Sequence, residues 1–435
     1  MENALRLRAV EVAAGNPRLL EWLHGVLQER SLPVSALLDK LEQEEARFRE
    51  DVLIDELVGT LQRSEKHTLA CAALYRLPVA LAAIEALTAD PQTMQHLQTA
   101  AKVGLVEIVP TTDGTRYFVS NLLDSTLADE LSEAERQPLA AKASRYLFDA
   151  TKDGRPEAMT LEIIRLAIDG KEQELAIKLG YTLAYSMNQQ SRYREAETLC
   201  MQILALGEDF RMLTALSMVE QQLGREQTRQ HFERAVEILP DITDQTSEDI
   251  LWAIASTYLN HASFLQQQGR LDEALNALQN HALPIYGERL NNEREKAVTM
   301  GKIAYILQAR GQLDEALNKL NETLPVYEKL GDVREKAVTM GKIAYILQAR
   351  GQLDEALNIR ENHELPVYEK LGDVREKTVT MWWIAILLWK KNPEEHRERI
   401  RELLCQAKQD FLRMRLPQAD SIQKYIESFG LSCDH

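Results

Sequence analysis

The stretch Arg294–Asn318, REKAVTMGKIAYILQARGQLDEALN, recurs without a change at Arg334–Asn358, forty residues later. It begins a third time at Arg375 as REKTVTM and then departs into WWIAILLW. Identity at a fixed spacing means a repeated structural unit, in which each copy buries its apolar face against the next. Each unit holds two helical patterns. Ala297, Met300, Ile303, Ala304 and Leu307 fall at helical spacing and give one apolar stripe. Gly311 supplies a turn that a residue with a Cβ would resist. Leu313, Ala316, Leu317, Leu320 and Leu324 form the second stripe.

With small Ala304 where the helices cross, Gly311 at the turn, and then Leu313, Asp314, Glu315, Ala316 and Leu320, the unit resembles the tetratricopeptide repeat. The usual period of that family is about 34 residues. Here the extra length sits in LPVYEKLGDVRE, which is predicted to extend the second helix, with Pro325 bending it or setting its last turns. Weaker copies precede the identical pair. SRYREAETLCMQIL, from Ser191, places Tyr193, Ala196 and Cys200 in the key positions; ERAVEILP ends at Pro240; GRLDEAL spans Gly269–Leu275. After the last unit, WKKNPEEHRERIRELL leads into helices predicted at Ile400–Arg413 and Pro417–Ser428. A terminal repeat with a charged outer face is what a solenoid cap requires. The resemblance implies a mainly α fold: an α-solenoid of tetratricopeptide-like helical hairpins behind a small N-terminal helical and winged-helix domain.

That N-terminal part reads differently. Residues 1–50 carry helical patterns on both sides of Gly15-Asn16-Pro17. Further helices are predicted at Val52–Leu61, His67–Leu74, Val79–Leu87 and Thr93–Val103. Two short β-prone runs, Leu105–Val109 and Arg116–Val119, flank Asp113-Gly114 and predict a hairpin. Strands are expected only within about Val106–Val119. Helices followed by a hairpin resemble a winged-helix domain. A Gly-x-Pro turn, a winged helix and then an α-solenoid resemble the C-terminal half of the signal-transduction ATPases with numerous domains (STAND). In that family the turn ends the helical lid of the nucleotide module, so Gly15 and Pro17 match a vestigial lid turn. The departures are large. No GxxxxGK[ST] occurs, so no phosphate-cradling loop is present. The winged-helix histidine of many relatives is replaced by Ser120. The expectation is the separated sensing half of such an ATPase, or a relative that lost the motor, with no cofactor. The domains follow as a lid-like segment (1–50), a winged helix (51–125), a helical linker (126–170), repeats (171–391) and capping helices (392–435).

Other chemistry is sparse. Val52-Leu53-Ile54-Asp55-Glu56 has the form of a Mg²⁺-binding strand, but without a phosphate loop it reads as an acidic amphipathic helix. The would-be DNA-reading segment, Pro91–Val103, has one cation, Lys102, and the wing offers Arg116 beside Asp113; at net charge −16 no specific nucleic-acid binding is expected. His261 and His281 sit on repeat helices in structural roles, no HExxH or Cys/His cluster occurs, and no catalytic constellation is found, so no metal site and no enzyme are expected. Cys71, Cys200, Cys405 and Cys433 show no CxxC spacing and read as unpaired thiols of a reducing compartment. No signal peptide follows Met1, and the run Trp382–Trp389 is too short to span a bilayer, so a cytoplasmic protein without membrane contact is expected.

The strongest functional signal lies on the first helices of the repeats, which line a concave groove in the tetratricopeptide fold. Registered on Gly311, that groove receives Gly301, Tyr305 and Gln308, then Gly341, Tyr345 and Gln348, then Trp382, Ile386 and Trp389. Aromatic residues are favoured contact anchors. The expected partner is a protein or peptide, whose capture would regulate an ATPase module in cis or in trans. A free-standing adaptor and, more remotely, a winged-helix transcription regulator are the alternatives. Two readings of Tyr305 and Tyr345 stay open: a ligand-facing ladder, or packing between repeats. The tryptophans also have a second reading, sealing the solenoid end.

Overall fold

A computed structural model of the chain describes residues 2–28, 33–152 and 154–433. It is mainly α-helical and divides into two compact units, residues 1–228 and 229–435.

The first unit opens with α1 (Glu2–Ala13), α2 (Pro17–Gln28), α3 (Val34–Gln43) and α4 (Arg49–Gly59). The stretch 52–56 lies inside α4, a helix, and Asp55 accepts a hydrogen bond from Thr126 Oγ1 at 2.8 Å. Next come α5 (Arg63–Ala72), β1 (Val79–Ala80), α6 (Leu81–Thr88), α7 (Thr93–Lys102), β2 (Val106–Thr111) and β3 (Gly114–Val119). The expected hairpin forms, pairing Val106 with Val119 through to Thr111 with Gly114. The sheet has a third strand, which corrects the helix expected from Val79 onward. Val79 and Ala80 pair antiparallel with Tyr117 and Arg116, giving the order β1-β3-β2. Pro78 disfavours helix in the residue before it, and buried Val79 joins the sheet before α6 begins. Trp22 ties α2 to this sheet region: its indole N–H donates to Gly104 O at 3.1 Å, and a Cβ on Gly104 would fall 2.7 Å from the indole ring. Buried Glu162 accepts from the Arg76 backbone N–H at 2.7 Å and from Arg165, which itself donates to Leu74 O. These bonds satisfy a carboxylate that burial would otherwise penalise. The unit continues through α8 (Glu133–Ala150), α9 (Glu157–Asp169), α10 (Gln173–Gln189), α11 (Tyr193–Leu204) and α12 (Phe210–Leu223), with Ala196 and Cys200 fully buried.

The second unit holds α13 (Thr228–Glu237), α14 (Glu248–Gln267), α15 (Leu271–Asn276), α16 (Glu293–Ala309), α17 (Leu313–Leu330), α18 (Val333–Ala349), α19 (Leu353–Ile359), α20 (Leu365–Leu371), α21 (Val374–Lys391), α22 (Arg397–Arg413) and α23 (Gln418–Ser428). The repeated sequence repeats its caps. Asn292, Asp332 and Asp373 each accept from the backbone N–H three residues on, at 3.1 Å, and start α16, α18 and α21. Each such cap stabilises its helix by about 1 kcal/mol. Gly311 and Gly351 turn at φ 78° and 81°, as their place between paired helices requires. Ala304, Ala316, Ala344 and Ala356 are buried to 1% exposure or less where the helices of one unit cross.

The second helices differ in a way the sequence explains. Between LDEALN and LP the units read ALQNHA, KLNET and IRENHE. The five-residue version continues as one α-helix, α17, through Pro325. Each six-residue version forms a π turn, at Ala277–Ala282 and at Arg360–Glu364, which absorbs the extra residue. Another π turn follows at Ile285–Arg289. Cys405 and Cys433 correct the expectation of four unpaired thiols: they form a disulfide joining α22 to the segment after α23, while Cys71 and Cys200 are free and buried. Their wide sequence separation concealed a pairing that the return of α23 along α22 creates.

Candidate functional site

The candidate surface lies on the first helices α14, α16, α18 and α21. In α16 the residues Ile303, Ile306 and Leu307 turn inward, so Tyr305 must turn outward, and its side is 52% exposed. Tyr345 takes the same position in α18 at 40% exposure. The Tyr345 ring meets the Trp383 ring edge-on at 5.6 Å, so this tyrosine both faces solvent and touches the following repeat. Gln308 and Gln348 are half-buried, and the Gln348 amide oxygen is buried without a hydrogen-bond partner.

The two glycines are not equivalent. A Cβ on Gly301 would meet only Lys342 Nζ, at 3.8 Å. A Cβ on Gly341 would fall 2.6 Å from Glu364 Oε1. The space beside Gly341, one of the positions assigned to the groove, is therefore filled by the π turn of its own repeat. Glu364 there pairs with Arg360 at 2.8 Å, Arg360 reaches Gly341 O at 3.3 Å, and the guanidinium lies 5.3 Å from the centre of the Trp383 ring. Both members of the pair are buried, and burial raises the Glu364 pKa despite the guanidinium.

Trp382, Ile386 and Trp389 do not extend the open rows. Trp389 stacks on Phe429 at 3.8 Å, Trp382 packs against Tyr425 at 5.6 Å, and Ile386 is 7% exposed. The two tryptophans are covered by Tyr425 of α23 and by Phe429 at its end, in keeping with an end seal. Farther back, His261 stacks on Phe232 and His281 on Tyr258, and burial lowers the His261 pKa. At the N-terminus Gly15 adopts φ 83°, and Asn16 Oδ1 accepts from Arg18 N and Leu19 N, capping the helix that Pro17 begins. Among the described residues no group of His, Cys, Asp or Glu is arranged to hold a metal, and no helix is long and apolar enough to cross a membrane.

Residues 253–329 and 295–361 match the family model of the tetratricopeptide repeat. This stretch is built of tetratricopeptide repeats. A larger likeness is to a STAND protein with a tetratricopeptide repeat sensor from Pyrococcus horikoshii, at TM-score 0.54 and 17% identity, over 92% of this chain and 60% of that one. The chain thus spans about 60% of that protein's length, and at this identity the likeness is one of fold. BtubC from P. vanneervenii aligns at TM-score 0.42 and 17% identity, over 55% of this chain and 92% of its own. Aspartyl phosphate phosphatase F from Bacillus subtilis aligns at TM-score 0.41 and 13% identity, over 86% and 97%. No curated protein matches the sequence. The tetratricopeptide solenoid supports a protein-interaction module.

Sequence reasoning did not single out Trp383, which meets Tyr345 edge-on; Lys302 and Lys342 hold the equivalent position on α16 and α18. The signal was present as a lysine inside the apolar run MGKIAY, but only the packed helices show which side it takes.

Proposed function

We propose that this chain is the ligand-sensing half of a STAND-type ATPase system and captures a protein segment along the first helices of its repeats. The observation that carries the reading is the pair Tyr305 and Tyr345: two large aromatic rings, exposed at equivalent positions of neighbouring units. Exposed aromatic anchors repeated at the spacing of one helix pair suit an extended or helical ligand. In this reading residues 51–125 are the winged helix, 1–50 the lid-like segment with its vestigial turn at Gly15 and Pro17, 126–170 a linker, 171–391 the repeats and 392–435 the cap. The fold likeness to the Pyrococcus protein, which carries a tetratricopeptide repeat sensor, supports the sensing role, and the ATPase module would act in cis or in trans.

The test uses peptides selected from a displayed random library on the immobilised chain. Replacing both tyrosines, Tyr305→Ala with Tyr345→Ala, should weaken the selected peptides by about 2 kcal/mol or more, roughly thirtyfold. The melting temperature should change little, since neither ring lies in the core: Tyr305 is 52% and Tyr345 40% exposed. A destabilised double variant whose folded fraction binds at full strength would assign the rings to packing between repeats and end the groove reading. An in-frame phosphate loop encoded upstream of Met1, or an ATPase that co-purifies, would link sensor to motor. Absence of both would leave an adaptor without one.

A further inference from the structure

The end of the chain is fastened differently from the repeats. Two rows of ion pairs tie repeat to repeat. Arg310 pairs with Asp272 and Arg350 with Asp314, each at 3.1 Å; Arg294 pairs with Asp332 at 3.3 Å and Arg334 with Asp373 at 3.2 Å. α23 is held at its middle by an apolar face: Ala419 and Ile422 are buried in one core with Leu388 of α21 and Leu404 of α22. Its end is held by other means. The chain turns at Gly430, whose carbonyl accepts from Arg397 at 2.8 Å, and Cys433 then closes the disulfide to Cys405 of α22. Just before this fastening lie the two rings that cover α21. Tyr425 meets Trp382 at 5.6 Å, and Phe429 stacks on Trp389 at 3.8 Å.

This cover is shallow. Tyr425 is 36% exposed, and Phe429 and both tryptophans are half-buried. The Trp382 indole N–H is buried without a hydrogen-bond partner, which a permanent core position would supply. α23 has eleven residues, a length at which a helix end depends on its contacts. By the repeat register Trp382 and Trp389 take the places of Gly341 and Gln348, so they continue the first-helix surface that carries Tyr305 and Tyr345. The sulfurs of Cys405 and Cys433 are half-buried and within reach of a dithiol, whereas Cys71 and Cys200 are fully buried. Resting on the groove reading above, we propose that the Cys405–Cys433 disulfide is a redox latch on the ligand-capturing surface. Oxidised, it keeps Tyr425 and Phe429 over Trp382 and Trp389; reduced, it lets both rings lift and lengthens the surface onto α21. The reductant is a dithiol. One of its thiolates attacks a sulfur of the pair and releases the other as a thiolate; its second thiol then resolves the mixed disulfide. Two electrons and two protons pass to Cys405 and Cys433, and the dithiol leaves as a disulfide.

Hydroxyl-radical footprinting of the full chain reads each tryptophan separately. On reduction with dithiothreitol, labelling of Trp382 and Trp389 should rise about threefold or more, while Trp22 and Trp252 stay constant. Cys433→Ser should show the raised labelling with or without reductant. Unchanged labelling of both tryptophans, once alkylation shows both thiols freed, would overturn the latch and leave the groove reading standing. Library peptides selected on the reduced chain, and dependent on Tyr305 and Tyr345, should bind it about fivefold or more tightly than the oxidised chain. Trp389→Ala should remove that gain and leave the oxidised affinity unchanged. A non-reducible thioether bridge between the two thiols should hold the chain at the oxidised affinity in dithiothreitol, which separates the latch from any misfolding of the tryptophan variant. Tyrosine-dependent peptides that bind both redox forms equally would overturn the lengthening. Peptides indifferent to the tyrosines would end the groove reading and the lengthening with it.

Discussion

Gly301 and Gly341 occupy the same place in two stretches of identical sequence and meet different surroundings. Glycine inside a helix costs roughly 0.5–1 kcal/mol relative to alanine. Beside Gly301 a methyl group has room, so Gly301→Ala should stabilise the protein by about that amount. Beside Gly341 the same methyl would press on Glu364, whose carboxylate is held by Arg360, so Gly341→Ala should forfeit the gain and lower stability. Chemical denaturation of the two variants reads the difference directly, and equal shifts would contradict the placement of Glu364. The sequence could not separate these glycines, because the distinguishing residue lies more than twenty positions away on another helix. What it did show was the pattern around them: the alanine crossings and the Gly311 turn are local consequences of side-chain size and φ.

Among the elements, the long helices were legible because their apolar stripes have helical spacing, and the β2–β3 hairpin because Asp-Gly lies between β-prone runs. β1 was not legible. It has two residues, its neighbours form helix, and its only reason to be a strand is the free edge of β3. The π turns follow from a one-residue difference that is visible once the repeats are aligned. At the core positions where the other units place Leu278 and Ala282, or Leu320 and Thr323, the third unit places Arg360 and Glu364. Replacing residues 359–364 by KLNET should therefore convert the π turn to α-helix and remove a buried ion pair. Exchanging such a pair for well-packed smaller or apolar residues is often neutral or stabilising, here by up to about 1–4 kcal/mol. In that background Gly341→Ala should become tolerated. A destabilised exchange variant would mean that the pair, and not the helix path, holds the third unit against α21.

In the second unit as a whole, stability should grade along the chain, because each repeat is supported by its neighbours and the last by its cap. The exposed tyrosine row ends where α23 begins to cover α21, which is why Trp382 and Trp389 could be read from sequence either as ligand contacts or as a seal. That cover rests on Trp389 against Phe429, Trp382 against Tyr425, Arg397 donating to Gly430 O at 2.8 Å, and the Cys405–Cys433 bond. The cysteines are 28 positions apart, and closing a loop of that size restrains the unfolded chain by up to about 3–4 kcal/mol. The benefit belongs to the segment inside the loop. Cys433→Ser should therefore act locally: α22 and α23 should lose protection in hydrogen exchange, while α16 to α18, held by their own caps, alanine crossings and ion-pair rows, keep theirs. Mass-spectrometric exchange on the variant and on the reduced parent chain should give the same pattern, since both remove one bond. Protection lost evenly across the unit would show the repeats and cap to unfold as one body, and unchanged protection in α23 would show that the aromatic stack alone holds the end closed.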